Sequence, residues 1–125
     1  MKTHRMRIIL SLIRTITHRV IEMSPTKLER LKNELDGAIS SSDFDLAFQI
    51  VNDMLEVAPD NPLFWNSKGI ILAKMERIDE AIASFDTGLE IDPEESKLWY
   101  SKGCVLLDCG EHRMALACLY KSLDL

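Results

Sequence analysis

The side chains best suited to chemistry gather near the end of the chain. Cys104, Cys109, His112 and Cys118 are thiolate and imidazole ligands of the kind that bind zinc. Helical spacing pulls them apart. Cys104 falls on one helix, while Cys118 falls midway along the next and on a different side, so the set does not converge on one ion. Small apolar packing residues are the better reading. No Cys-x-x-Cys motif occurs, and an odd, clustered set in a chain large enough for its own core reads as reduced thiols in a cytoplasmic protein. No Ser/His/Asp set and no glycine-rich phosphate loop is present. The carboxylates of Asp79, Glu80, Asp86, Glu90, Glu94 and Glu95 fall at helix starts and on outer faces, where they favour the helix dipole and solubility. The expectation is a protein that is not an enzyme and that uses no metal and no cofactor.

The whole composition points the same way. The 125 residues suit one domain, and 46% hydrophobic with 28% charged residues is ordinary for a globular chain. The net charge of -5 hides a division: residues 1–24 carry five Lys or Arg against Glu22 alone, and the remainder carries ten against nineteen acids. An acidic body argues against nucleic acid as the main ligand, because such binding rests on neutralising phosphates. The longest apolar run, Ile8 to Ile13, is interrupted by Ser11 and falls far short of the ~20 residues that cross a bilayer.

Hydrophobic periodicity predicts helices throughout. Met6, Ile9, Leu12, Ile13, Ile16, Val20 and Met23 share one stripe of a helix whose opposite face carries Arg7, Ser11, Arg14, His18 and Glu22. Ser24 and Pro25 then predict a break and a fresh start near Thr26. Leu28, Leu31, Leu35 and Ile39 lead to a turn at residues 40–43, and Phe44, Ala47, Phe48, Val51, Met54 and Leu55 form the returning stripe. A breaker at residues 58–62 follows. The cycle recurs as 62–75, a turn at Glu76 and Arg77, and 78–91, then once more as 95–109, a turn at Gly110, and 112–125.

The cycles match residue for residue. Trp65, Lys68, Gly69 and Ala81 return as Trp99, Lys102, Gly103 and Ala115, each 34 positions on. The period also reaches backward, through Ala47 and through Pro25, Pro59 and Pro93. A fixed period of this size is the signature of a repeat architecture. A glycine in mid-helix costs about 1 kcal/mol relative to alanine, so Gly69 and Gly103 are expected to admit a close neighbour, with Ala81 and Ala115 as the small faces opposite. Trp65 and Trp99 are expected to supply large buried area, and Phe85 and Leu119 to fill the gap between neighbouring pairs.

In Trp65, Lys68-Gly69, Leu72, Ala81, Phe85, Gly88 and Pro93, and again in Trp99, Lys102-Gly103, Leu106, Ala115, Leu119 and Ser122, the chain resembles the tetratricopeptide repeat family. A first, degenerate repeat offers Leu31, Leu35, Ala47, Val51, Met54 and Pro59. The resemblance implies an all-α fold, an α-α superhelix of three antiparallel helix pairs (repeats 28–61, 62–95 and 96–125, in a domain of 25–125), with the amphipathic helix of residues 1–24 added in front. It also implies a concave groove lined by the first helix of each pair, with Lys32, Asp36 and Ile39, then Asn66, Ile70, Ala73 and Lys74, then Lys97, Tyr100, Cys104 and Leu107, flanked by Glu29, Ser40, Leu63 and Asp108. Tyr100 is the natural anchor for a bound peptide and Lys32, Lys74 and Lys97 are the cations. The family's chaperone-type clamp for a C-terminal carboxylate takes two Lys, two Asn and one Arg. Lys32 and Lys97 stand at the lysine sites, but Asp36, Ser67 and Ser101 hold the other three, and Asp36 repels the charge to be bound.

The expected function is therefore a non-catalytic scaffold or adaptor for a protein or peptide partner, and the alternative is a membrane-proximal assembly factor. The basic helix of residues 1–24 admits a cap on the first repeat over Leu28 and Leu31, a membrane-surface or targeting segment, or a contact with another protein or copy; a biological start at Met23 is a further reading. At the other end, no polar helix closes the last pair. The face around Leu116, Leu119 and Leu123 is expected to be covered by a partner or by a second copy in a homodimer.

Overall fold

The computed structural model describes residues 2–23 and 26–125, with the side chains of residues 2 and 18–23 excepted. Seven helices account for nearly all of them: α1 (Lys2–Met23), α2 (Lys27–Ser40), α3 (Phe44–Val57), α4 (Pro62–Lys74), α5 (Ile78–Ile91), α6 (Ser96–Asp108) and α7 (His112–Asp124). No strand occurs among the described residues. Packing divides the chain into two units, Met1–Arg30 and Leu31–Leu125.

In the first unit, α1 is a helix exposed on every described side, Ile8 and Leu10 as much as the expected stripe. Met6, Ile9, Leu12, Ile13 and Ile16 are between 52% and 60% exposed. Val20 and Met23, expected on that stripe, and His18 and Glu22, expected opposite, lie outside the described side chains, as does the break at Ser24 and Pro25. What starts α2 is a reciprocal cap. The Thr26 hydroxyl accepts from the Glu29 backbone N–H at 3.1 Å and the Glu29 carboxylate accepts from the Thr26 N–H at 2.9 Å, which satisfies two donors that a helix N-terminus otherwise leaves unpaired.

The second unit is a set of helical hairpins whose turns are copies of one another. α2, α4 and α6 end with a residue in the left-handed region, Ser42 at φ 57°, Glu76 at 61° and Gly110 at 82°. The following N–H groups of Asp43, Arg77 and Glu111 reach back to the carbonyls of Ala38, Leu72 and Leu106, each at 2.9 Å. This is the paired carbonyl closure of a Schellman motif, and it recurs every 34 residues even where the side chains do not. After each turn Ala47, Ala81 and Ala115 are fully enclosed, at 0% exposure, so a larger side chain has no room where the second helix crosses the first. Asp43, Asn61 and Glu95 cap α3, α4 and α6 by accepting from the N–H groups of Leu46, Leu63 and Lys97.

Two expectations about packing need correction. A Cβ added at Gly69 would meet the Phe85 ring, 2.6 Å from Cδ1 and 2.7 Å from Cζ, and one at Gly103 would meet Leu119, 2.8 Å from Cγ. The glycines admit the large residue one turn beyond the alanine; Ala115 is met only through its carbonyl oxygen, at 3.3 Å. The tryptophans are half-buried rather than core residues, and their neighbours Phe64 and Leu98 take the interior. The reason is the indole N–H, which needs an acceptor. Trp65 donates to the Pro59 carbonyl at 2.9 Å and Trp99 to that of Pro93 at 2.7 Å, so each ring ties the start of its hairpin to the preceding breaker.

Curvature follows from which helices touch. Among the described residues α4 packs on α5, α6 on α7, α3 on α4 and α5 on α6, and the first helices α4 and α6 also contact each other, whereas α3 with α5 and α5 with α7 do not. Hairpins drawn together on the first-helix side alone bend toward it. Gly88 makes the step between hairpins close, since Leu98 of α6 and Trp65 of α4 both approach it, 2.8 Å and 3.2 Å from where a Cβ would stand.

Candidate functional site

The bend places the first helices side by side on the inner face of the second unit, and two depressions open between them. One holds about 300 Å³ and is lined by Ile70, Ala73 and Lys74 of α4 with Tyr100, Ser101, Cys104, Val105 and Asp108 of α6. Residues three and four apart on one helix share a face, which is why 70, 73 and 74 meet 100, 101, 104 and 108. The floor is aliphatic, and Lys74 and Asp108 stand at one end because each lies at the C-terminal end of its helix. Tyr100 is 59% exposed and rises from the rim. The Cys104 thiol one turn on holds the phenol above its ordinary pKa.

The other depression holds about 310 Å³ and brings Lys32, Leu35 and Asp36 of α2 together with Met54, Asn61, Leu63, Phe64 and Ser67. The Lys32 ammonium lies 5.6 Å from the centre of the Phe64 ring, within cation–π range. Ile39, Lys97 and Leu107 are exposed and line neither depression. Asn66 also lines neither, but its Oδ1 is buried with no hydrogen-bond partner, an arrangement that native proteins rarely leave unanswered. Sequence reasoning placed Ser67, Ser101 and Asp108 near this face and missed Val105. Its counterpart one repeat earlier is the buried Ile71, a signal available from the period.

Below this face the repeated lysines do different work. Lys68 lies over the rings of Phe48 and Trp65, 5.5 Å and 5.3 Å from their centres. Lys102 instead bonds Asp86 at 2.6 Å, because residue 86 is acidic where the preceding repeat has Asn52. Both hold one hairpin to the one before it.

The thiols do not form a cluster. Cys104 is partly exposed in the first depression, Cys109 is exposed and Cys118 is buried; burial pushes the Cys118 thiol above its ordinary pKa. Among the described residues no three His, Cys, Asp or Glu stand where they could hold a metal ion, and no helix is long and apolar enough to cross a membrane.

Known proteins share this architecture. The family model for the tetratricopeptide repeat matches residues 63–95 and 96–125. Among solved structures, the pHsp70 complex of the TPR2B domain of yeast Sti1 is 25% identical, with 77% of each chain covered and a TM-score of 0.71. The TPR domain of Sgt2 from Aspergillus fumigatus is 22% identical, with 82% of this chain and 68% of that one covered and a TM-score of 0.73. The type III secretion translocator chaperone SycD of Yersinia enterocolitica is also 22% identical, over 82% of this chain and 78% of that one, at a TM-score of 0.74. A comparison with curated protein sequences gives no match.

Proposed function

Because the chain belongs to the tetratricopeptide repeat family, we propose that it is a non-catalytic adaptor or scaffold that holds a peptide or protein segment along the inner face of α2, α4 and α6. The observation that carries this reading is the depression between α4 and α6, where an aliphatic floor, an exposed tyrosine and a Lys74/Asp108 pair converge. An apolar floor supplies affinity and the few polar groups at its rim fix orientation. The pHsp70 complex of the yeast Sti1 domain supports a polypeptide ligand. Three free thiols support a cytoplasmic setting.

The decisive comparison is capture of partners by the full chain against an I70E/Y100A variant, which alters two exposed residues of the depression and leaves the core intact. Partners identified by mass spectrometry should be lost with the variant. Their undiminished retention would remove the groove from the account.

A second reading rests on α1. Its exposed apolar stripe is accompanied by Arg5, Arg7 and Arg14, the composition of a helix that lies in an anionic lipid surface. Under that reading the repeats recruit a partner at a membrane. Co-sedimentation of the full chain with anionic vesicles, against a chain beginning at Ser24, separates it from a purely soluble adaptor: equal sedimentation of the two removes it.

A further inference from the structure

The outer face of α7 breaks the pattern of the helices it repeats. Leu55 of α3 and Leu89 of α5 are each 8% exposed, yet their counterpart Leu123 is 80% exposed, beside Tyr120 at 65% and Leu116 at 52%. At about 100° per residue these three fall within a sector of roughly 60°, away from the buried Ala115 and Cys118. Tyr120 stands where the earlier helices carry Asn52 and Asp86, and Arg113 where they carry Asp45 and Asp79. The helix has exchanged a polar residue for an aromatic one and an acid for a base on the face that is uncovered.

The exchange is unfavourable within one chain. Arg113 lies in the first turn of α7 and Asp124 is its last residue, so each charge sits at the end of the helix whose dipole repels it. No described side chain pairs with either. An antiparallel copy of the same helix reverses both effects. Pairing two α7 helices about the midpoint between Cys118 and Leu119 sets Arg113 of one copy opposite Asp124 of the other, twice, because the two positions are equally far from that midpoint. Each then lies at the helix end that its charge favours. Arg113 and Asp124 share one edge of the apolar sector, and a two-fold axis brings like edges together, so the ion pairs flank an interface in which Leu116 enters between Tyr120 and Leu123 of the other copy.

We propose that the outer face of α7 is a self-association surface, through which two copies of this chain pair antiparallel with Leu116, Tyr120 and Leu123 buried between reciprocal Arg113–Asp124 ion pairs. The surface belongs to α7 alone, so the inference stands apart from the groove reading. One helix face of this length makes a small interface, and the association is reversible rather than obligate.

Sedimentation equilibrium of the full chain, from low to high micromolar concentration, tests it. The wild-type chain should show a monomer–dimer equilibrium. R113D and D124R should each weaken it by at least about tenfold, since each replaces two attractions by two repulsions. An equimolar mixture of the two variants should recover the association as a heterodimer, because one ion pair re-forms as in wild type and the other with its signs exchanged; the double variant R113D/D124R, in which both pairs are exchanged, should recover it alone. Both positions are exposed, and each substitution removes a charge that its own helix end disfavours, so melting no lower than that of wild type keeps folding out of the result. A strict monomer at high micromolar concentration, single variants that associate like wild type, or a mixture no better than its parents would each overturn the proposal.

Discussion

Replacing each of two helical glycines by alanine tests the packing account most sharply, because the chemistry of the change is identical and the surroundings are opposite. Gly37 of α2 has no atom within 4 Å of where a Cβ would stand, so G37A gains helix propensity alone, about 0.5–1 kcal/mol. At Gly69 the added carbon would stand 2.6 Å and 2.7 Å from atoms of the Phe85 ring. That ring is fully enclosed and rigid, so it can yield only by moving the helix behind it. Overpacking of this kind costs about 1–3 kcal/mol or more, which outweighs the same propensity gain and leaves G69A destabilised by about 1–2 kcal/mol. For a domain of this size the two melting temperatures should lie roughly 10 °C apart, on either side of wild type. Thermal unfolding followed by circular dichroism is sufficient. If G69A melts with G37A, the close approach of α4 and α5 is not what the glycine serves, and the reasoning fails.

Other consequences follow from single sites. Glu76 holds a φ of 61° that costs a residue with a Cβ about 1 kcal/mol, so E76G should raise stability by up to that amount in urea titration, whereas E76V should lower it. A peptide ending in EEVD should show no saturable binding by calorimetry at micromolar concentration, because Asp36, Ser67 and Ser101 replace the side chains that would hold its carboxylate. In alkylation followed by mass spectrometry near pH 8, Cys109 should react first and Cys118 last. Burial both blocks Cys118 and raises its pKa, so its thiolate, the reactive form, appears only as the pH climbs above the ordinary thiol range. Prompt labelling of Cys118 at neutral pH would mean that α7 opens readily from α6.

The 34-residue period is enough to reveal the fold, because a hairpin that must stack on its neighbours has to repeat its contacts. Even the first repeat, with Leu31 in the tryptophan place, is legible from its breakers, and the left-handed Ser42 shows why: turn geometry, not side-chain identity, is what recurs. What stays hidden is anything that separates two residues on one face. Ala81 and Phe85 lie one turn apart on the same stripe, and periodicity cannot say which of them meets Gly69. Lys68 and Lys102 match in sequence and differ in partner because the difference lies at residues 48, 52 and 86. Helical spacing groups the inner-face residues together, but Ile70, Ala73, Lys74, Tyr100, Cys104 and Asp108 share the α4/α6 depression, while Lys32, Asp36 and Leu63 share the other; that division depends on how the helices approach, which no single helix encodes.

The most direct test of the central claim uses a peptide selected from a random display library against the full chain and then titrated into isotopically labelled protein. Backbone NMR shifts should concentrate on residues 70–74 and 100–108, with Tyr100 among the largest. Shifts confined to α3, α5 or α7, or a library that yields no binder at all, would contradict the assignment of the inner face as the recognition surface.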